Sequence, residues 1–152
     1  MMHCVIATPV GHLRIDANTR AITGVNRTTE PLTPPSTVLL ADCTRQLEAY
    51  FAGKLTAFDL PIQLEGSPFR MKVWEALCTI PYGETCSYAD LACMIGQPSA
   101  FRAVGGANHH NPISIIVPCH RVIGANGSLT GYGGGLDMKK WLLEHERKNR
   151  HA

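Results

Sequence analysis

The order of apolar and polar residues predicts a small sheet followed by a helix at the start of the chain. Residues 3–7, 12–17 and 21–25 have the length and alternation of strands, and short turns containing Pro, Gly or Asn separate them. Apolar residues between Leu40 and Phe51 then recur at helical spacing, and Gly53 provides a natural stop. These elements predict an N-terminal α/β lobe, and none of its residues is assigned a chemical role.

Helical patterns predominate in the second half of the chain. Ser67-Pro68 combines a favourable N-cap with a residue suited to the first helical position. Ser87–Asp90 has the sequence of a capping box and opens a short helix, and residues 100–108 predict another helix directly after it. Two short helices joined by a tight turn are typical of a helix-turn-helix. We therefore divide the chain into an N-terminal lobe, residues 1–66, and a C-terminal domain, residues 67–152.

The last third of the chain predicts a strand, a turn, a loop and a helix. Residues 113–117 are strongly β-forming and predict a buried strand that ends at Cys119. Asn126-Gly127 is the signal of a tight β-hairpin, and residues 131–135 form a glycine-rich loop without the spacing of a phosphate-binding motif. A final helix over residues 137–147 is expected to bury one face, which contains Met138, Trp141, Leu142 and His145. The predicted fold class is therefore α/β (α+β).

Composition identifies a globular protein and excludes several other classes. The chain has 152 residues and a mass of 16.5 kDa, with 45% hydrophobic and 17% charged residues, which fits neither a disordered nor a fibrous protein. No apolar run approaches the ~20 residues that a membrane-spanning helix needs. The N-terminus shows no basic segment followed by an apolar stretch, so we expect no secretory signal, no membrane partner and a cytoplasmic location.

The net charge of +2 is small, but the positive residues are concentrated in the second part of the chain. Before residue 67 there are five Lys and Arg against six Asp and Glu, and from residue 67 onward there are nine against six. The stretch between Asp90 and Asp137 contains no carboxylate, whereas it contains Arg102, Arg121 and three histidines. Such a surface suits a polyanion, although a glycine-rich segment can also lack acidic residues by chance.

The predicted helix at 100–108 carries very little side-chain volume. Its small residues are Ala103, Gly105, Gly106 and Ala107. Two glycines cost about 2 kcal/mol of helix propensity relative to alanine, and a core helix gains little from that choice. A helix whose backbone must approach another surface closely gains directly. Arg102 is the only Lys or Arg in this helix.

Six cysteines are too few for a disulfide scaffold, and they form no CxxC pair, so reduced thiols are expected. Cys119 differs from the others because Pro118 precedes it and His120 and Arg121 follow it. A nucleophilic thiol needs a lowered pKa, which nearby cations or a base supply. A structural cysteine beside a structural histidine fits the spacing equally well.

The segment around Cys119 is one of several blocks that follow one another in a recognisable order. They are Ile80–Thr85, Arg102–Gly105, Asn111-Pro112, Val117–Val122, Gly131–Gly135 and Trp141–Glu146. These blocks, spread over residues 67–147, resemble the O6-alkylguanine-DNA alkyltransferases, also called methylated-DNA–protein-cysteine methyltransferases. The resemblance implies a DNA repair protein with a winged-helix-like DNA-binding domain, acting as a monomer on double-stranded DNA that contains alkylated bases.

The resemblance also implies the chemistry of the site. Cys119 would attack the alkyl carbon on guanine O6 and keep the group as a thioether, so that each molecule acts once. The lesion would be O6-alkylguanine, with O4-alkylthymine as a further candidate. His120 would relay the thiol proton through a water molecule, and Glu146 would orient His120. Asn111 would tie the helix-turn-helix to the strand that ends at Cys119.

Other positions of the family pattern imply contacts with the damaged base. Tyr88 would donate to guanine N3, Tyr132 would line the alkyl pocket, and the backbone of Cys119 and Val122 would accept from the exocyclic amine. Base flipping is expected, because O6 is out of reach within a stacked duplex. Arg102 would fill the space that the flipped nucleotide leaves, and its helix would lie in the minor groove.

Three features depart from the family pattern. Gly133 stands where the family often has serine, so a hydroxyl is missing, while the backbone N–H that can donate to O6 remains. The sequence His109-His110 is less familiar, and these side chains either contact phosphates or are simply solvated. Some relatives bind a structural zinc, but His3, Cys4 and His12 form no convincing four-ligand set here. We therefore predict no metal and no cofactor.

Two alternative functions stay open. A non-enzymatic protein that only binds alkyl lesions would share this domain, but such relatives replace the reactive cysteine and this chain keeps Cys119. A Cys-His hydrolase or transamidase would use Cys119 and His120, but it has no need of Arg102 in a helix rich in Gly and Ala. Lesion binding without a change in protein mass would favour the first alternative, and steady turnover of an ester would favour the second.

Overall fold

The computed structural model describes residues 2–129 and 135–150. Its first elements are the antiparallel strands β1 (Met2–Thr8), β2 (Gly11–Ala17) and β3 (Ile22–Arg27), with β2 in the middle of the sheet. The register pairs Cys4 with Ile15 and Ile15 with Val25, so these three buried side chains lie on one face. The three predicted strands are confirmed.

Helix α1 (Val38–Phe51) packs against all three strands. Thr37 caps it, because its side-chain oxygen accepts from the backbone N–H of Leu40 at 3.1 Å. The apolar stripe predicted from helical spacing is buried at Leu40, Cys43, Leu47 and Tyr50, and Phe51 is half-buried. The sheet and α1 together form the predicted N-terminal lobe.

Three helices of the second part build the helix-turn-helix and its support. They are α2 (Pro68–Leu77), α3 (Tyr88–Met94) and α4 (Phe101–His109). Ser67 caps α2 as predicted, and the capping box of α3 is complete, since Ser87 and Asp90 each accept from the other's backbone N–H at 3.0 Å. Trp74 Nε1 donates to the Ala107 carbonyl oxygen at 2.9 Å, which holds α2 against α4.

The predicted strand at 113–117 is wrong. The backbone meets β3 only in an isolated bridge between Ile113 and Val25. The chain then turns at Ile115, whose φ is 72°, and the Val117 N–H donates to the Ile113 carbonyl oxygen at 3.0 Å. Ile113, Ile115 and Val117 are all buried. A run of buried β-branched residues therefore resembles a strand in sequence although the segment is a turn.

The predicted hairpin at Asn126-Gly127 is wrong in its pairing. A turn is present, because the Gly124 N–H donates to the Ser128 carbonyl oxygen at 2.8 Å and the glycine of the pair has a φ of 84°. The preceding strand β5 (Val122–Ile123), however, pairs in parallel with β4 (Cys86–Ser87). This short pairing joins the segment after Cys119 to the start of α3.

The last helix, α5 (Leu136–Asn149), confirms the predicted C-terminal helix. Met138 and Leu142 are buried as expected, whereas Trp141 and His145 are only half-buried and stack on each other with ring centres 4.7 Å apart. Of the predicted glycine-rich loop, residues 131–134 lie outside the described residues. Within the part of the chain that the structure describes, we find no helix with the length and apolar character to cross a membrane.

Ser87→Ala should lower the free energy of unfolding by about 1 kcal/mol, because it removes the acceptor of the α3 capping box. Ser87→Asp should restore most of that loss, since an aspartate oxygen can accept the same N–H. Ser99→Ala is the matched control, because α4 begins without a side-chain cap. Denaturant unfolding compares the three variants, and equal losses at Ser87 and Ser99 would argue against the cap.

Candidate active site

Cys119 opens a short 3₁₀ turn, Cys119–Arg121, rather than ending a strand as predicted. Successive side chains diverge by about 120° in such a turn, so Cys119 and His120 face different directions. Cys119 is 3% exposed and lines a cavity of about 870 Å³ between the end of β3 and the C-terminal end of α4. Cys119 is therefore a buried residue at the edge of this cavity.

Two asparagine side chains hold the segment that contains Cys119 against α4. Asn111 Nδ2 donates to the Val117 carbonyl oxygen at 2.8 Å, and its Oδ1 accepts from the Ile113 N–H at 3.0 Å. Asn108 Nδ2 donates to the Cys119 carbonyl oxygen at 3.2 Å. Asn111 thus links the end of α4 to the turn before Cys119. Asn108, which the sequence analysis does not single out, adds a second link.

His120 and Glu146 form a buried pair. His120 Nε2 lies 2.6 Å from Glu146 Oε2, and the two side chains are 0% and 1% exposed. An ionised carboxylate only accepts hydrogen bonds, so the proton between them belongs to Nε2 of a neutral imidazole. Nδ1 is then the acceptor, and it is buried without a hydrogen-bond partner among the described residues. The ring therefore offers an unused lone pair inside the protein.

Glu146 accepts hydrogen bonds from three further residues. Arg121 Nε donates to Oε1 at 2.8 Å and Arg121 Nη2 to Oε2 at 3.1 Å, while the Gly83 N–H donates to Oε1 at 3.2 Å. Tyr50 Oη, from α1, donates to Oε2 at 2.6 Å. The N-terminal lobe therefore touches the site, although the sequence analysis assigns it no role.

Sequence reasoning misses Arg121 and Tyr50 as parts of the site. Arg121 enters the sequence analysis only as a nearby cation of the Cys119 segment. The available signal for Tyr50 is its place on a buried helix face, where a tyrosine hydroxyl needs a partner. That signal does not identify the partner.

The surroundings set the charges of the buried pair. Burial raises the pKa of Glu146, but hydrogen bonds and charge from His120 and Arg121 outweigh burial and hold that pKa well below its usual range. Burial lowers the pKa of His120, although the Glu146 carboxylate opposes the change. The positive charge of Arg121 already neutralises the Glu146 carboxylate. A protonated His120 would add a second positive charge beside the same carboxylate. Glu146 is therefore ionised and His120 neutral at pH 7.

Cys119 and Lys139 form a second buried group. Burial raises the pKa of the Cys119 thiol to about 11, against the lowered pKa that the sequence analysis expects, while the Asn111 side chain and the Lys139 charge oppose the change. Lys139 Nζ donates to the Val122 carbonyl oxygen at 2.6 Å, and burial lowers the pKa of Lys139 to about 8. Sequence reasoning misses Lys139, because a lysine on a helix is usually exposed. The resting thiol is therefore protonated at pH 7 and needs a base.

The exposed side of α4 includes a position without a side chain, Gly106. Arg102 and Gly106 are exposed, and a Cβ atom at Gly106 would meet no other atom within 4 Å. Packing within the described residues therefore does not require glycine at this position. On the inner side, a Cβ atom at Gly105 would lie 3.8 Å from the Tyr88 ring. Tyr88 is half-buried, and Lys139 Nζ lies 5.9 Å from the centre of its ring.

The structure describes some of the remaining predicted site residues, whereas others lie outside the described residues. The Cys119 carbonyl oxygen already accepts from the Asn108 side chain and from the Val122 N–H, and the Val122 carbonyl oxygen accepts from Lys139 Nζ. Tyr132 and Gly133 lie outside the described residues. His109-His110 is exposed at the end of α4. Within residues 2–129 and 135–150, no group of three or more His, Cys, Asp or Glu side chains is arranged to hold a metal ion.

The chain matches one protein family over almost its whole length. Residues 68–148 match the DNA binding domain of 6-O-methylguanine DNA methyltransferase, and residues 1–64 match the ribonuclease-like domain of the same family. The methylated-DNA–protein-cysteine methyltransferase of Mycolicibacterium paratuberculosis is 50% identical over 153 residues, covering 97% of this chain and 93% of the relative. That of Methanosarcina barkeri is 59% identical over 108 residues, covering 71% and 68%.

Solved structures agree with this match. The crystal structure of Mycobacterium tuberculosis OGT in complex with DNA has a TM-score of 0.90 at 47% identity, covering 97% of this chain and 93% of that one. The O6-methylguanine DNA methyltransferase from Methanococcus jannaschii has a TM-score of 0.69 at 29% identity, covering 94% and 92%. A helix-turn-helix that supports a buried cysteine is typical of one class of protein. The members of that class are cysteine-dependent transferases built on a DNA-binding scaffold. Within that class, the chain belongs to the 6-O-methylguanine DNA methyltransferase family.

Acidification should destabilise the fold in two steps. Because the pKa of His120 is lowered in the fold, the unfolded chain gains that proton first, and stability falls as the pH drops below about 6.5. The lowered pKa of Glu146 adds stability that is complete above its unfolded pKa of about 4.5 and is lost as the pH falls further toward the folded value.

Urea unfolding between about pH 2.5 and pH 8 follows the first step and most of the second. His120→Gln should flatten the first step, since glutamine does not titrate. If His120→Gln kept the wild-type slope near pH 6, the first step would have another source.

Proposed function

We propose that the protein repairs DNA directly, by transferring the alkyl group from O6 of guanine to Cys119. The observation that carries the proposal is the buried Cys119 followed by His120, whose Nε2 is held by Glu146 and whose Nδ1 has no partner in the described part of the chain. Family membership and the likeness to Mycobacterium tuberculosis OGT, whose structure includes DNA, support it.

The transfer is a displacement at the alkyl carbon. A bond forms between Cys119 Sγ and that carbon, the bond from the carbon to guanine O6 breaks, and its electron pair returns to guanine. The thiol proton passes through a water molecule to His120 Nδ1. A thioether has no easy hydrolytic route back to the thiol, so each protein molecule acts once.

Because Cys119 is buried, the loss of its thiol proton has to be part of the reaction. With a pKa of about 11, the Cys119 thiol is protonated at rest, and a base has to take its proton when the lesion is bound. His120 is neutral and can take it, and the ionised Glu146 then stabilises the imidazolium. The positive charge of Lys139 lowers the pKa of the Cys119 thiol and favours the thiolate as it forms.

Guanine leaves with added negative charge, and donors near the pocket stabilise it. Tyr88 is proposed to donate to guanine N3, and the Gly133 N–H to O6. The backbone carbonyl oxygens of Cys119 and Val122 are proposed to accept from the exocyclic amine, and Tyr132 to line the alkyl pocket.

The exposed face of α4 is proposed to lie against the minor groove. Gly106 adds no side chain to that face, so the helix backbone can approach the sugar-phosphate surface closely. Arg102 is exposed on the same helix and is proposed to occupy the space of the flipped nucleotide. Asn108 and Asn111 connect this helix to the turn that contains the nucleophile.

The proposal includes four broader expectations. The reaction balances with a thiol, a base and water, so it needs no metal or cofactor. The protein acts as a monomer in the cytoplasm, and its two units are residues 1–66 and 67–152.

A lesion-binding protein without activity is less well supported, because the buried arrangement of Cys119, His120 and Glu146 serves no purpose in binding alone.

Mixing the protein with duplex DNA that contains O6-methylguanine should add the mass of one methyl group, located on Cys119, to each molecule. Cys119→Ala should abolish the gain, because the methyl group has no other acceptor at the site, and should retain binding to the duplex. Cys78→Ser is the matched control, since Cys78 is an exposed cysteine at the end of α2, and it should still gain one methyl group. Intact and peptide mass spectrometry measures this.

A lesion that binds tightly while the protein mass stays unchanged would instead support the lesion-binding alternative. Steady turnover of an ester by the wild-type protein would support a hydrolase. Methylation of Cys119→Ala to the wild-type extent would contradict the assignment of the nucleophile.

Arg102→Ala should slow methyl transfer from duplex DNA by about tenfold to a hundredfold, because the duplex then regains the flipped base more easily. Transfer from free O6-methylguanine base should be unaffected, since that base is not stacked. Arg20→Ala removes an exposed arginine of the N-terminal lobe and serves as the charge control. Single-turnover rates on both substrates decide the outcome, and an equal loss on duplex and free base would refute this role.

A further inference from the structure

Tyr50 is the part of the buried network that comes from the N-terminal lobe. Its side chain is fully buried, and its hydroxyl donates at 2.6 Å to Glu146 Oε2, the same oxygen that lies 2.6 Å from His120 Nε2. Burial, together with the Glu146 charge, raises the pKa of Tyr50 well above its ordinary value. The hydroxyl therefore keeps its proton and remains a donor, so Tyr50 and His120 share one carboxylate oxygen.

The packing of the Tyr50 ring does not need the hydroxyl. The ring lies against Phe58 and Tyr82, with centres 5.6 and 6.2 Å away, and a phenylalanine would keep both contacts. The bond between His145 Nε2 and Tyr50 uses the backbone carbonyl oxygen at 2.7 Å. Among the described residues, the hydroxyl therefore serves Glu146.

We propose that Tyr50 is a positioning residue for His120 in the alkyl transfer. A carboxylate oxygen that already accepts a short hydrogen bond attracts a second proton less strongly, so Tyr50 weakens the hold of Glu146 on a proton at His120. The same bond fixes the carboxylate and thereby the direction of His120 Nδ1. The inference rests on the proposed function, in which His120 must be neutral before it accepts the thiol proton.

The charged and titratable groups around the pair determine the sign of the effect. Those that face Glu146 or His120 are Tyr50, Tyr82, Arg121 and Lys139. Arg121 and Lys139 lower the pKa of His120, and Glu146 raises it. Removing the Tyr50 hydroxyl leaves more of the Glu146 charge to act on His120. The pKa of His120 should therefore rise.

Tyr50→Phe should shift the acid limb of the single-turnover rate upward by about half to one pH unit, as expected for the loss of one hydrogen bond to a buried carboxylate. At a pH below both midpoints, transfer should be about threefold to tenfold slower than in wild type. NMR titration of ¹⁵N-labelled His120 should show a shift of the same size without any substrate. Tyr82→Phe is the matched control, because the Tyr82 hydroxyl is buried without a hydrogen-bond partner in the described part of the chain.

A second variant covers the case in which Tyr50→Phe folds poorly. Replacing Tyr50 with 3-fluorotyrosine keeps the shape and makes the hydroxyl a stronger donor, so both midpoints should move downward. Midpoints of the Tyr50 variants that match those of wild type and Tyr82→Phe would overturn the inference. The NMR titration needs no methyl transfer, so it tests the role of Tyr50 by itself. If Cys119 of the wild-type protein gains no methyl group, that outcome refutes the proposed function and not the inference about Tyr50.

Discussion

The rest of the structure depends on one buried ionised carboxylate, that of Glu146. Such a group is stable away from water only when donors replace its hydration. The donors come from three places: Tyr50 on α1, Gly83 after α2, and His120 and Arg121 in the 3₁₀ turn. Glu146 lies on α5 and Tyr50 on α1, so these hydrogen bonds also help to join the sheet lobe to the rest of the chain.

Stability and reactivity conflict around Cys119. Burial keeps its thiol protonated and Lys139 out of water, and both effects oppose the charged species that the chemistry needs. In the proposed reaction, His120 Nδ1, which has no partner in the described part of the chain, resolves the conflict, because a neutral base can take the proton only when the reaction requires it. A protein that acts once gains from a nucleophile that stays inert until its lesion arrives. Burial thus keeps the thiol in its unreactive form until a base takes its proton.

Helix α4 relates the site to the outer surface. Its outer face is almost without side-chain volume at Gly106, and its inner side is anchored through Ala107, Asn108 and the Asn111 that follows. The glycine weakens the helix by about 1 kcal/mol, and tertiary anchors of this kind offset such a loss. A surface that contacts the outer face of α4 is therefore connected, through the helix and these hydrogen bonds, to the turn that contains Cys119.

The sequence by itself determined the local structure and the candidate chemistry. Strands, helices, the capping box of Ser87 and the cysteine motif all follow from patterns within a few residues, because periodic burial and capping are local properties. Only the tertiary structure decided that residues 113–117 turn, that Lys139 is buried, and that Tyr50 reaches Glu146 across 96 residues of chain. Partners so distant are chosen by packing, and the charge state of a buried group depends on those partners.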